Sequence, residues 1–336
     1  MDPVTQGALG AAVALTKARP KQLGGAALMG ALGGMAPDLD VLIRSHTDPL
    51  LFLEYHRQFT HSLLFIPFGA LLCSLVLYPL FGRRFELPFG SVYFFCLMGY
   101  ATHGLLDACT TYGTLLLWPL SNERFAWNVL SIIDPLVTLP LLAGIFWTLR
   151  SKSSAALLLS LAWFGSYVAF GMVQRDRAEA VAWALADARG HAPQRLEAKP
   201  SFANLLVFKT VYEANGRFYV DAVHVGLQTK TYEGESVAKL NVGRDFSWLD
   251  SDLQQARDIE RFRWFSNDYL ALDQKDPSRV IDMRYSLLPN DINALWSIQV
   301  DPSAAADSHV AYQMHRGDSR AALPTLWAMI TGTDID

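Results

Sequence analysis

The chain has 336 residues, of which 51% are hydrophobic and 18% are charged, and its formal net charge at pH 7 is -4. This weakly acidic balance, without a basic stripe, lacks the electrostatic footprint of nucleic-acid binding, so we expect no nucleic-acid partner. The three cysteines form no pair at metal-ligand spacing, and a disulfide framework is not indicated. The averages conceal two unlike parts, because residues 1–175 are mostly apolar whereas residues 176–336 are polar, aromatic and charged.

The first part contains apolar stretches that approach or reach the length of about 20 residues needed to cross a bilayer. They cover residues 62–81, 87–101 extended through His103, 129–149 with Asp134 inside it, and 155–173. Residues 7–15 and 23–35 are shorter and rich in glycine and alanine, which predicts a tightly packed or partly inserted helical pair. We therefore predict a polytopic α-helical membrane domain over residues 1–175, with about six helices, two of them short, in contact with the lipid bilayer.

Basic residues near the ends of the spans predict an orientation, because lysine and arginine are enriched on the cytoplasmic side of a membrane. Three basic groups follow the first, third and fifth helices: Lys17, Arg19 and Lys21; Arg83 and Arg84; Arg150 and Lys152. If all three groups are cytoplasmic, the polar clusters described below and residues 176–336 lie on the opposite side. Arg175 and Arg177 are the exception, because this arrangement places them outside the cytoplasm.

The second part has the pattern of an extracytoplasmic α+β domain that follows a linker helix. Asn215-Gly216 is the strongest short hairpin signal, and apolar and polar residues alternate on either side of it. The predicted elements are a linker helix over residues 177–188, hairpin strands over 205–212 and 217–225, a helix over 249–262, and strands near 269, 280–285 and 295–300.

Three polar clusters lie at the ends of apolar stretches, at residues 37–40, 56–62 and 103–107. Ionisable residues are rare in such segments and persist where they are paired, bound to a metal or facing water. His103 and Asp107 are four residues apart, so on a helix they project from one face and can hold one metal or two adjacent ones.

The other two clusters require a loop or a turn. His56 and His61 are five residues apart, so we expect one in a connecting loop and the other at a first helical turn, with Thr60 or Ser62 as the cap. The candidate metal ligands are Asp38, Asp40, His56, His61, His103 and Asp107. Mixed imidazole and carboxylate ligation suits one or two zinc ions, with manganese or iron as alternatives.

Other interpretations of these residues stay open. A single histidine at a helix end is more often an interfacial or hydrogen-bonded residue than a ligand, and Asp38-Leu39-Asp40 could form a helix cap. Asp134 fits a metal ligand, a partner that orients a ligand histidine, or a helix-start charge ahead of a proline. Arg57 could hold an anionic substrate or pair with Glu54, and pairing is the favoured alternative.

Five short motifs occur together in residues 1–175. They are Met1-Asp2-Pro3-Val4-Thr5-Gln6, Pro37-Asp38-Leu39-Asp40, His56-Arg57-Gln58-Phe59-Thr60-His61-Ser62, His103-Gly104-Leu105-Leu106-Asp107 through Thr110-Thr111-Tyr112-Gly113, and Ile133-Asp134-Pro135. Together they resemble the bacterial inner-membrane metal-dependent hydrolases of the YdjM/YbcI type, and the motif over residues 56–62 is quite specific. Some relatives have a histidine in place of Gln6, which is therefore at best a neutral ligand or a partner of a ligand.

The resemblance implies hydrolysis in the bacterial inner membrane. Its distant link to zinc-dependent phospholipases C raises phosphoesters as substrates, and a site at the outer membrane surface suggests a lipid or lipid-linked substrate. Asp40, Asp107 and Asp134 are the candidate catalytic carboxylates, and Arg57 is the candidate anion contact. The competing class is a non-enzymatic membrane protein. A carrier would place its ligands near the bilayer midplane, and a structural metal site would be closed by four protein ligands.

Overall fold

The computed structural model describes residues 1–315, 317 and 319–335. The chain divides into two compact units, and neither is a single stretch of sequence. The N-terminal unit comprises Met1–Ile43 and Tyr55–Val173, and the C-terminal unit comprises Arg44–Glu54 and Gln174–Asp336. No pattern in the sequence predicts that residues 44–54 belong to the C-terminal unit.

Helices make up the regular structure of the first 188 residues. In chain order they are α1 (Pro3–Leu15), α2 (Leu23–Met35), the 3-10 helix Ala36–Leu42, α3 (Leu51–Tyr55), the 3-10 turns Phe59–His61 and Leu63–Phe65, α4 (Ile66–Leu77) with the π-helical turn Tyr78–Gly82, α5 (Phe89–Ala108), α6 (Pro135–Ser151) and α7 (Ala155–Ala188). Within the described residues, three segments are long and apolar enough to cross a membrane: Leu63–Gly82, Phe89–Ala108 and Ala155–Ala188. They coincide with three of the predicted spans, whereas the total of six membrane helices stays a prediction.

Two predicted boundaries differ from the structure. The apolar stretch at residues 129–149 becomes the shorter helix α6, because the Asp134 side chain accepts a hydrogen bond from the backbone N–H of Leu136 and so caps the helix. The linker helix predicted over residues 177–188 is the last part of α7, which continues to Ala188 without a break.

The helices α1, α2 and α5 pack with their backbones almost in contact. A Cβ atom on Gly99 of α5 or on Gly10 of α1 would overlap the carbonyl oxygen of Gly30 in α2. Small residues permit this approach, as the glycine-rich sequence predicts. The packing brings the end of α2 beside the polar end of α5.

The C-terminal unit contains two antiparallel four-stranded sheets. The first is β1 (Arg195–Pro200), β2 (Val207–Ala214), β3 (Arg217–Val225) and β4 (Thr229–Ala238), and the second is β5 (Leu270–Leu272), β6 (Arg279–Asp282), β7 (Trp296–Gln299) and β8 (Ala311–Met314), each in sequential order. The helices are α8 (Val242–Asp245), α9 (Gln254–Phe265) and α10 (Ser319–Thr331). The α+β content agrees with the prediction.

Two sequence features of this unit have a clear structural reason. Asn215 and Gly216 join β2 to β3 with positive φ angles of 53° and 69°, the backbone that this hairpin turn requires. Arg177 donates hydrogen bonds to the carbonyl oxygens of Val225 and Gly226 at the end of β3. The Arg177 side chain therefore has hydrogen-bond partners inside the C-terminal unit.

The glycine contact predicts a position-dependent effect within α5. Gly99→Ala should destabilise the protein by about 1–3 kcal/mol, the usual cost of overpacking, because the added methyl group meets the α2 backbone. Gly90→Ala in the same helix is the matched control, since no atom lies within 4 Å of a Cβ placed there. Thermal unfolding in detergent checks both variants, and equal midpoints would contradict the packing argument.

Candidate metal centre

Four side chains converge between α5 and the turns that precede α4. They are Asp38, His61, His103 and Asp107, and one potential ligand atom of each lies within 4.8 Å of the others. The two α5 residues lie one helical turn apart, as predicted. The side chains of His61, His103 and Asp107 are fully buried, whereas that of Asp38 is 24% exposed.

The separations between the donor atoms fit a single tetrahedral ion. The Nε2 atoms of His61 and His103 are 2.9 Å apart, and Asp38 Oδ1 lies 3.4 Å from each of them. Asp107 Oδ2 lies 3.3 Å from the Nε2 atom of His61 and 3.8 Å from that of His103. Zinc bonds of about 2.0–2.1 Å in a tetrahedron place ligand atoms roughly 3.3 Å apart. The measured separations lie on both sides of this value.

Contacts on the opposite side of each ring orient the two histidines. His103 Nδ1 donates to the carbonyl oxygen of Gly34 at 2.6 Å. His61 Nδ1 lies 3.0 Å from the Thr60 hydroxyl oxygen and 3.3 Å from Asp40 Oδ2. Both arrangements leave Nε2 facing the centre, which is how ligand histidines are commonly held.

The turn that carries His61 is held against α5 by the backbone. A Cβ atom on Gly104 would overlap the carbonyl oxygen of His61, so only glycine allows this approach. The Tyr100 hydroxyl donates to the carbonyl oxygen of Thr60 at 2.8 Å. Ser62 caps the following 3-10 turn by accepting from the backbone N–H of Phe65, as one of the two predicted caps.

Asp107 lies among hydrogen-bond donors and positive charges. Its Oδ1 atom accepts from Gln6 Nε2 at 2.9 Å and contacts the Met1 amino group, while Arg57 Nε lies 3.2 Å from Oδ2. Within the described part of the chain, Asp107 Oδ2 and Gln6 Oε1 are buried acceptors that receive no hydrogen bond. A cation at the centre would satisfy Asp107 Oδ2, so the residues present fit a metal ion.

The electrostatics of the turn residues also favour a cation. Burial raises the pKa of Asp38, but hydrogen bonds with His103 and His61 outweigh burial and hold this pKa below its usual range. Burial lowers the pKa of His61, but Asp107, Asp38 and Asp40 outweigh it and raise the pKa to about 10. The carboxylates therefore stay ionised and stabilise positive charge beside them.

A second group adjoins the first and shares Asp38 with it. Asp38, Asp40 and His56 could also hold an ion. Asp40 Oδ1 lies 2.7 Å from His56 Nδ1, and its Oδ2 accepts from the Arg57 backbone N–H and the Thr60 hydroxyl. Both aspartates lie inside the 3-10 helix Ala36–Leu42 and do not cap it. The fold thus brings all six predicted ligands together.

Two other predicted site residues have different partners. Pairing of Arg57 with Glu54 is wrong: Arg57 is buried against Asp107 and stacks over the Tyr112 ring at 4.9 Å, because the turn directs it towards the end of α5. Asp134 caps α6 and accepts a hydrogen bond from the Tyr167 hydroxyl at 2.9 Å. It belongs to neither of the two potential metal-binding groups.

Sequence reasoning missed the groups that orient the ligands. The Gly34 carbonyl oxygen carries no sequence signal, because any residue has the same backbone acceptor. The sequence predicts Thr60 only as a cap. In the structure its hydroxyl donates to Asp40 Oδ2 and lies 3.0 Å from His61 Nδ1, so it links the aspartate motif to the histidine motif. The side-chain hydroxyl inside the histidine motif was the available signal.

The apolar helices and the buried donor cluster define a membrane protein with a candidate metal centre. A model of the YdjM inner membrane protein family matches residues 1–178, more than half of the chain, so the chain belongs to this family. This confirms the resemblance drawn from the motifs and supports an inner-membrane location.

Two relatives each match about a third of the chain. The uncharacterized protein YfhP of Bacillus subtilis (strain 168) is 26% identical over 113 residues, 34% of this chain and 33% of YfhP. The inner membrane protein YbcI of Escherichia coli (strain K12) is 36% identical over 108 residues, 31% of this chain and 60% of YbcI. The chain thus spans less than two thirds of either relative. No solved structure matches it.

The geometry predicts which histidines determine metal content. His61→Ala and His103→Ala should each remove most of the bound divalent metal, because each variant loses a donor from the four-residue group. His224→Ala, on β3 of the C-terminal unit, is the control and should keep the wild-type content. Elemental analysis of protein purified in detergent measures the result, and equal content in all three variants would disprove the assignment.

Proposed function

We propose that this protein is an integral membrane metal-dependent hydrolase that cleaves a phosphoester of a lipid or lipid-linked substrate. The observation that carries the proposal is the convergence of two donor groups that share Asp38, because it brings together more donors than a closed four-ligand site uses. Asp38 and His56, at one edge of this set, are partly exposed, so water and substrate have access to it. This donor set suits zinc, with manganese or iron as alternatives. When bound, such an ion polarises a phosphoryl oxygen and makes water nucleophilic near neutral pH.

The exposed edge of the centre is the route for the substrate. The side chains of Asp38 and His56 are 24% and 32% exposed. Leu39 and Leu42, on the same 3-10 helix as Asp38, are 63% and 75% exposed. Exposed leucines beside a polar site favour an amphiphilic substrate, which supports the lipid part of the proposal.

His56 is the residue that moves a proton in this proposal. Its Nδ1 atom is held by Asp40 at 2.7 Å, which leaves Nε2 to accept a proton from the attacking water. Both carboxylate oxygens of Asp40 already have hydrogen-bond partners. Asp40 therefore orients His56 and His61 and is not itself the base.

Arg57 and Asp134 have supporting roles. Because Arg57 is buried and faces Asp107, it neutralises and positions that carboxylate. Asp134 stabilises the start of α6 and its contact with Tyr167, and we assign it no step in the reaction.

A structural metal site is the competing function, because four protein ligands can close a tetrahedral centre. The two functions differ in what chelation does. A structural ion holds the fold, so its removal should unfold the protein, whereas removal of a catalytic ion should stop turnover and leave α1, α2 and α5 packed.

The proposal also includes an orientation, with the metal centre and the C-terminal unit on the periplasmic side. It is supported by the three basic groups at the span ends. A reporter that is active only in the periplasm, fused after residue 336, should be active, and a reporter that is active only in the cytoplasm should be silent. The reverse pattern would refute this orientation and leave the metal centre untouched.

The division of roles predicts opposite outcomes at two histidines. His56→Gln should keep the wild-type metal content and lower kcat by about 10²–10⁴-fold, the usual contribution of a general base. His61→Ala should lose both metal and turnover. The alcohol and phosphate products of phospholipid and lipid-linked phosphate hydrolysis, followed with and without chelator, measure turnover. His224→Ala is the control for expression and folding.

Two results would contradict the proposal. Loss of one of two bound ions in His56→Gln would make His56 a ligand of a second ion. Absence of metal-dependent turnover by folded, metal-loaded protein across the substrate panel would remove the hydrolase function and favour a structural ion.

A further inference from the structure

Residues 44–54, here called the docking segment, connect two parts of the candidate metal centre. The 3-10 helix that carries Asp38 and Asp40 ends at Leu42, just before the segment, and His56 follows shortly after it. The segment itself belongs to the C-terminal unit. The chain thus leaves the N-terminal unit between two pairs of site residues and returns to it.

Apolar side chains of the docking segment lie in the core of the C-terminal unit. Leu50 and Leu53 are 1% and 6% exposed and belong to the same buried cluster as Phe262 of α9 and Val280 of β6. The Phe52 ring packs edge-on against Tyr312 of β8, with ring centroids 5.3 Å apart. Burial of large apolar side chains is a main source of stability in a folded core, so the segment is firmly held.

Arg261 of α9 adds ionic contacts to the middle and to the C-terminal end of the docking segment. The guanidinium of Arg261 pairs with both oxygens of Asp48, at 3.0 and 2.7 Å, and also contacts Glu54. On its own helix it pairs with Asp258 at 2.8 Å. Bidentate arginine–carboxylate pairs constrain geometry as well as adding electrostatic attraction. Arg261 therefore constrains the path of the docking segment.

The two ends of the loop meet inside the N-terminal unit. His56 and the backbone N–H of Arg57 contact the two carboxylate oxygens of Asp40, at 2.7 and 3.1 Å. Residues 41–55 therefore form a closed loop whose middle is anchored elsewhere. A free loop of this length loses conformational entropy when its two ends come together. Because the middle of this loop is already ordered in the C-terminal unit, less entropy is lost when its ends meet at Asp40.

We infer that the C-terminal unit positions the exposed edge of the metal centre through the docking segment, with Arg261 as the positioning residue. The inference deepens and rests on the proposed function, because it concerns the same Asp38, Asp40 and His56. It also gives a role to the part of the chain beyond residue 178, where the family model ends. The docking segment lies within the family region, whereas Arg261 lies outside it.

The test compares two arginines of α9. Arg261→Ala removes the contacts to Asp48 and Glu54, whereas Arg263→Ala removes ion pairs with Glu260 and Asp268 and none with the docking segment. Both variants lose an arginine of the same helix, so their effects on the stability of the C-terminal unit can be matched by thermal unfolding. The full-length protein loaded with Co²⁺ is used throughout.

Arg261→Ala should weaken Co²⁺ binding by about tenfold, the lower range for groups that orient ligands. It should also change the visible absorption of bound Co²⁺, because the Asp38 end of the centre is less well held. Hydrogen exchange of residues 44–54 should become faster. Arg263→Ala should leave the cobalt spectrum and the exchange of this segment at wild-type values.

A second pair of variants separates docking from the general stability of the core. Leu53→Ala and Val280→Ala both truncate side chains of one buried cluster, but only Leu53 lies in the docking segment. Only Leu53→Ala should alter the cobalt spectrum.

The failures are distinguishable. Wild-type protein that binds no Co²⁺ would refute the metal centre, and this inference with it. Wild-type binding with equal spectra and affinities in the Arg261 and Arg263 variants would overturn the positioning role and leave the proposed function intact.

Discussion

The backbone contact between α2 and α5 is the constraint on which the candidate metal centre depends. Gly30 and Gly99 allow the two helices to approach until no Cβ atom fits between them. Only at that distance does the Gly34 carbonyl at the end of α2 reach His103 Nδ1. The same approach places the 3-10 helix Ala36–Leu42, which carries Asp38 and Asp40, beside the polar end of α5. The packing of α2 against α5 therefore also orients the candidate ligand His103.

Burial of charge among apolar helices sets the second constraint. An isolated carboxylate in this environment would be strongly destabilising, and Asp107 is accompanied by Arg57, Gln6 and the Met1 amino group. These contacts occupy Oδ1 and approach Oδ2 from one side, while the other side faces two imidazoles. Asp107 is thus compensated in part, and its Oδ2 atom, which receives no hydrogen bond from the described residues, could bind one more cation.

The docking segment belongs to the C-terminal unit, but it connects two motifs of the candidate metal centre in the N-terminal unit. A loop between two site motifs is usually free to move, but here its leucines are buried in the C-terminal unit and its acidic residues pair with Arg261. Pre-organisation of this kind lowers the entropic cost of assembling a site. We propose that the C-terminal unit acts on the candidate metal centre through the covalent chain, without direct contact with a bound ion.

The sequence by itself determined the local features: three of the spans, the hairpin at Asn215-Gly216, the helical pairing of His103 with Asp107, and the six candidate ligands. Each follows from periodicity, turn chemistry or spacing, which act over a few residues. Only the tertiary structure decided that Arg57 faces Asp107, that Asp134 caps α6, and that residues 44–54 belong to the C-terminal unit. These outcomes depend on partners that are distant in sequence, such as Arg261 for Glu54. No local pattern specifies which distant group pairs with a given charged residue.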